Sequence, residues 1–168
     1  HAPMTTAVAI ASSALGALYA QTLSILAILV GYHLAFNPVH IHDPIGFMGM
    51  VLLAWFSGCC IGLVFLAAAP WAPALVGFVS AVYARSNMIF SGKMFLANSL
   101  TYTWLKFFDW NPLFHIIDQS RGYMFINYYP HNSTISYPVY VSIGLLMIGL
   151  MGEFYTRRHV SPSWSAGK

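Results

Sequence analysis

IGFMGMVLLAWFSGCCIGLVFLAAA, residues 45–69, decides the fold class, because it runs for 25 residues without one charged side chain. A helix that crosses a bilayer needs about 20 mainly apolar residues, and this stretch exceeds that before Pro70 and Pro73 close it. Working outward, residues 74–90 form a second such segment with Arg85 near its far end, and a tight Pro-Trp-Ala-Pro turn at 70–73 joins the two. Toward the N-terminus, residues 7–36 form a long apolar segment in which Ser12, Ser13, Gln21, Thr22, Ser24 and His33 are scattered. Such polar residues predict a helix buried among neighbours rather than bathed in lipid. Residues 137–154 make the last segment, closed by Glu153 and the Arg157–Arg158 pair. The expectation is an all-α integral membrane protein, a single transmembrane domain over 1–168 with four transmembrane helices.

Composition agrees. Of 168 residues, 58% are hydrophobic and 7% are charged, against roughly a quarter charged in a soluble domain. So few charges cannot cover a water-facing surface, so the first partner is the lipid bilayer. Nucleic acid is excluded as a partner: residues 1–84 carry one charge, Asp43, and the later basic residues are isolated. Arg157, Arg158 and Lys168 place the C-terminus in the cytoplasm by the positive-inside rule. Four spans then put the N-terminus there too and the long third connection outside, although Lys93, Lys106 and Arg121 weigh against that count.

Small residues four apart let helix backbones approach closely; Gly58 with Gly62, and Gly16 with Ala20, are the pairs that predict it. Adjacent Cys59 and Cys60 have no metal-ligand spacing and are read as small buried residues. His40, His42 and Asp43 resemble a metal-ligand cluster, but a loop without supporting partners makes them solvated residues, and His33 alone inside a span does not bind haem. No cofactor is expected.

The informative stretch is the insert between the third and fourth spans, 91–136. Asn111 is a favoured N-cap and Pro112 a favoured first helical residue, so a helix is predicted to start at Pro112. On it Leu113, Ile116, Ile117 and Ser120 share one face, and His115, Asp118, Gln119 and Gly122 share another. Asp118 and Arg121 are three apart, close enough to pair on the helix surface. A break at Ser91-Gly92 followed by a short apolar run, 96–108, predicts a second helix too short to cross. Two short helices that dip into the bilayer and return need shelter from protein or a water-filled cavity, which implies a polar vestibule on one side. Trp104, Phe107, Phe108, Trp110, Tyr123, Phe125, Tyr128 and Tyr129 crowd it. Such rings either form an interfacial aromatic belt or stack on the C–H faces of sugars. The candidate substrate-path residues are Trp104, Trp110, Asn111, His115, Asp118, Arg121 and Tyr123.

Phe-Ser-Gly at 90–92, Trp-Asn-Pro-Leu-Phe-His at 110–115 and Arg121 resemble the C-terminal half of type-2 ABC exporter permeases, in the branch that exports capsular polysaccharide and O-antigen. That resemblance implies a re-entrant helix pair on the periplasmic side before the last span, a polymer path at a homodimer interface, and a bacterial inner-membrane location. It also implies a separate ABC-type ATPase subunit. Ser91-Gly92-Lys93 is not a P-loop, lacking the preceding glycine and the following Ser or Thr, so the chain itself is not expected to be an enzyme. The family has six spans, so the match to its last four implies about 90 further N-terminal residues, two spans at about 20 each with their connections. The alternative is a shortened relative serving as a structural subunit of a larger membrane complex without transport activity.

Overall fold

The structure, a computed structural model, describes residues 6–36, 38 and 40–165, with the backbone alone for Thr6 and 160–165. Lys168, one of the three cations used for orientation, lies outside them. Six α-helices follow in chain order: α1 Thr6–Ala35, α2 Pro44–Ala68, α3 Pro73–Phe90, α4 Tyr102–Phe108, α5 Pro112–Met124 and α6 Ser136–Ser165. Among the described residues there is no strand. Three helices are long and apolar enough to cross a membrane: Ala7–Ala35, Pro44–Ala68 and Ser136–His159, with mean hydropathies of 1.8, 2.3 and 1.5. The chain is an all-helical membrane protein. α3 is helical where the sequence predicts another span but is not one of those three, since Arg85, Ser86 and Asn87 dilute its apolar character.

The chain falls into two units, 1–41 and 42–168. The first contains α1. Three of its hydroxyls bond to the helix's own carbonyls. Ser12 Oγ donates to Ala9 O at 2.9 Å, Thr22 Oγ1 to Leu18 O at 3.0 Å and Ser24 Oγ to Ala20 O at 2.8 Å. This back-bonding is how an isolated hydroxyl is satisfied in lipid.

In the second unit, α2 starts where Asp43 caps it: Oδ1 accepts from the backbone N–H of Ile45 and of Gly46, both at 3.1 Å, with Pro44 in the first turn. It stops before Pro70, which cannot continue a helix. α6 packs along α2 in the same direction. A Cβ on Gly149 would lie 3.0 Å from Leu63 Cγ, and one on Gly152 3.1 Å from Ala67 Cβ. One turn on, Thr156 Oγ1 donates to Ala67 O at 2.8 Å and accepts from Trp71 Nε1 at 2.9 Å. The close helix approach therefore sits on α6, not at Gly58 and Gly62, where a Cβ would meet nothing within 4 Å. Cys60 is fully buried on this packed face, and both thiols are free. α6 also runs past Phe154, where the sequence places its end. The Glu153–Arg157 pair, 2.7 Å apart at i,i+4 spacing, supports another helical turn, so the end of the apolar run is not the end of the helix.

The insert has its own small core. Ala97, Phe108 and Phe114 are buried, with Phe95, Leu100 and Leu105 packed around them. Phe108 stands 4.6 Å from Phe95 and 6.0 Å from Phe114 between ring centres. The run 96–108 is not one helix. A single 3₁₀ turn, Ala97–Ser99, is separated from α4 by extended Leu100 and Thr101. Ser99 Oγ bonds back to Leu96 O (2.8 Å) and Asn98 Nδ2 reaches Tyr129 O (2.9 Å), alternatives to helical pairing that polar side chains offer the backbone.

Candidate functional site

α5 begins as the sequence predicts. Asn111 Oδ1 accepts from Leu113 N–H at 3.0 Å, and Pro112 takes the first helical position. The Asn111 amide then spends its donor on Asn87 Oδ1 of α3, at 2.9 Å. The cap thus ties the end of α3 to the start of α5.

The polar face of α5 is turned inward. His115 and Asp118 are 4% and 1% exposed, and both hold the segment 125–134 against the helix. Thr134 N–H donates to His115 Nδ1 at 3.1 Å. With that nitrogen accepting, the ring proton belongs on Nε2, which points at Asp109 O, 2.9 Å away. Ser133 Oγ donates to one Asp118 oxygen at 2.7 Å, and the Tyr128 hydroxyl donates to the other. Gln119 Nε2 adds bonds to Ser133 O at 2.8 Å and Ser133 Oγ at 3.1 Å. Gly122 completes the contact, because a Cβ there would meet Pro130 Cδ at 2.9 Å.

Asp118 and Arg121 do not pair. The guanidinium reaches away from Asp118, donating to Phe95 O at 2.7 Å, Gly92 O at 2.8 Å and Lys93 O at 3.1 Å. Those carbonyls are turned toward it by Gly92, whose φ of +75° is the left-handed conformation that glycine adopts without penalty. Phe114 fills the space where a Cβ would stand, at 2.7 Å.

The other end of α5 meets the start of α2. Asp43 N–H donates to Tyr123 O at 2.8 Å and His42 N–H to Met124 O at 3.3 Å, and the Tyr123 ring lies directly on Gly46. Between these elements opens a cavity of about 530 Å³, lined by His42, Asp43, Gln119, Gly122, Tyr123, Ile126, Tyr128, Tyr129, Pro130 and Ser133. Of the seven candidates, Tyr123 lines it. His115 and Asp118 lie behind its wall as supports, Arg121 and Asn111 brace the insert, and Trp104 and Trp110 are 63% and 83% exposed and not part of its lining. Sequence reasoning placed Tyr128 and Tyr129 in the aromatic crowd without assigning them to a site, and it missed Gln119 and Ser133 as lining. Their signal was the polar stripe of α5 in an otherwise apolar chain, which needed a polar partner. Among the described residues no three His, Cys, Asp or Glu side chains gather as metal ligands; Asp43 serves as a helix cap.

Chemically the cavity offers ring faces, phenolic hydroxyls, an amide, a serine hydroxyl, the His42 imidazole and the carboxylate of Asp43, which also caps α2, and no lysine or arginine. That set suits a neutral, hydroxyl-rich ligand with apolar C–H faces. Burial, followed by the hydrogen bond to the Asp118 carboxylate, pushes the Tyr128 phenol up to about 12. An unfolded tyrosine loses its proton near 10, so this group supports folding below pH 10 and the support is lost as pH rises from about 10 to 12. In absorbance titration Tyr128→Phe should remove ionisation from that upper window only, and wild-type thermal stability should decline across it. No protein-family model matches the chain, and no curated protein matches it.

Proposed function

We propose that this chain is the membrane-spanning permease subunit of an ABC exporter that moves a polysaccharide or glycolipid-linked polymer across the bacterial inner membrane. The observation that carries the reading is the tyrosine-lined cavity at the C-terminal edge of α5, the helix that the Trp-Asn-Pro-Leu-Phe-His element begins, with Asn111 as its cap and Phe114 and His115 buried.

Connectivity supports four spans. α2 and α6 run together from the insert to the turn at 70–73. α3 starts beside Trp71, which is bonded to Thr156, and Asn87 near its end is bonded to Asn111 of the insert. α3 therefore returns to the side from which α2 came. Its 18 residues reach about 27 Å at 1.5 Å each, close to the roughly 30 Å hydrocarbon core. α4 and α5, at 7 and 13 residues, are too short to cross and form the re-entrant pair. Arg157 and Arg158 follow Thr156 on the turn side, which supports a cytoplasmic C-terminus and a cavity that faces outside. An ABC-type ATPase subunit would power transport, and a homodimer would enclose the path.

The test is deletion of the gene in its own bacterium, with complementation by wild type and by Tyr123→Ala. Loss of surface polysaccharide on deletion, its restoration by wild type, reduced export by Tyr123→Ala at equal membrane abundance, and co-purification of an ATPase are expected. Unchanged polysaccharide after deletion, with recovery in an unrelated membrane assembly, would overturn the reading in favour of a structural subunit.

A further inference from the structure

Among the described residues, Arg85 is a cation without a counter-ion. The chain has four acidic side chains, and all are described and engaged elsewhere. Asp43 caps α2, Asp109 faces His115 Nε2 at 3.2 Å, Asp118 accepts from Tyr128 and Ser133, and Glu153 pairs with Arg157. Arg85 is exposed, and α3 has no buried residue.

Its surroundings make this costly. At 100° per residue, Leu75, Phe78, Val82, Arg85 and Ile89 fall on one stripe of α3, and the four apolar members are 64%, 70%, 46% and 59% exposed. On the reading that α3 crosses the membrane, Arg85 sits five residues, about 8 Å, inside the helix end. Lipid phosphates lie at the nearer interface, and a long arginine stem can reach back toward them along the apolar stripe while its charge stays out of the hydrocarbon. An ionised group at that depth is expensive unless an anion meets it. A second copy of the chain brings the same four engaged carboxylates. The most exposed of them, Asp109, lies on the connection between α4 and α5 rather than on a spanning helix.

We infer that Arg85 is the anchor of a lipid-binding site on α3. The guanidinium fork takes the phosphodiester of a membrane phospholipid, and its acyl chains lie along Phe78, Val82 and Ile89. A planar fork matches phosphate oxygens two at a time, and the flanking apolar stripe matches hydrocarbon. A soluble anion would use the first feature and gain nothing from the second.

The inference rests on α3 spanning, so the experiment separates the two. The full chain is purified with whatever complex it forms and reconstituted with photoreactive phosphatidylglycerol or photoreactive diacylglycerol, which lacks the phosphate. Phosphatidylglycerol should label α3, and Arg85→Gln should lower that labelling by about fivefold or more, the effect of losing about 1 kcal/mol. Arg85→Lys should retain part of it, and diacylglycerol labelling should be weak and insensitive to Arg85. Equal labelling by the two lipids, or no change with Arg85→Gln, overturns the site. Displacement of the lipid by millimolar inorganic phosphate overturns it in favour of a soluble anion, and cross-linking of α3 to an acidic protein segment overturns it in favour of a protein partner. In parallel, Val82→Cys in intact vesicles should resist an impermeant maleimide. Labelling there overturns the spanning reading, whereas protection with unchanged lipid labelling overturns the lipid site alone.

Discussion

Replacing Arg121 by alanine should release the chain between α3 and α4 while leaving the spanning helices in place. The guanidinium donates to three carbonyls at 92–95, contacts 26 to 29 residues away in sequence. Hydrogen bonds to a charged group contribute roughly 1.5–3 kcal/mol each in net terms. Part of the loss is recovered as water reaches the exposed Lys93 carbonyl, so the expected cost is about 3 kcal/mol. Arg121→Lys should recover only a part, because an ammonium on a flexible stem cannot hold three carbonyls in a fixed fork. The readout is limited trypsin digestion of the reconstituted protein. Cleavage after exposed Lys93 should accelerate by roughly tenfold or more as the local opening free energy falls, while the α2–α6 pair stays protected. Cleavage at the wild-type rate would show that the aromatic core around Phe108 holds the segment by itself.

What the sequence revealed and what it hid divide along a physical line. Signals that act within one turn of chain were legible. The Asn111-Pro112 cap, the Pro70–Pro73 turn and the long apolar runs declare themselves because cap, breaker and hydropathy are local properties. Choices among distant partners were not. An Asp118–Arg121 pair is possible by spacing, yet each side chain found partners delivered by the tertiary fold: carbonyls on a left-handed Gly92 turn for one, the hydroxyls of Tyr128 and Ser133 for the other. Gly58–Gly62 and Gly149–Gly152 look alike as small-residue sites, and which pair lets helices touch depends on which face meets a neighbour. The division of 96–108 into a turn and a helix likewise depended on Asn98 reaching Tyr129. In the candidate site, the sequence reads the polar face of α5 as a wall of a vestibule. In the structure most of it is the bed on which 125–134 lies, and the cavity opens at its C-terminal edge.

That bed makes Asp118 the position of largest expected effect. It is 1% exposed, and its two oxygens are the acceptors for the Tyr128 and Ser133 hydroxyls. Asp118→Ala removes both acceptors at once and leaves a void beneath the segment. Each buried hydroxyl left without a partner costs about 1–3 kcal/mol, and breaking a buried charged network about 3–5 kcal/mol, so a loss of about 4 kcal/mol is expected. Asp118→Asn should be far milder, about 1–2 kcal/mol: its carbonyl still accepts from one hydroxyl, and the other hydroxyl can rotate to accept from the amide. Thermal unfolding in detergent ranks the two. The Tyr128 titration separates the causes, since in Asp118→Asn the hydrogen bond to a carboxylate is gone while burial, the larger cause of the shift, remains. Its midpoint should therefore fall from about 12 only part of the way toward 10. A full return would mean that the segment has lifted off and the cavity has lost the wall formed by Tyr128, Tyr129 and Ser133. On the proposed exporter reading, export should then be abolished along with it; a partial return with export retained identifies Asp118 as a support whose shape matters more than its charge.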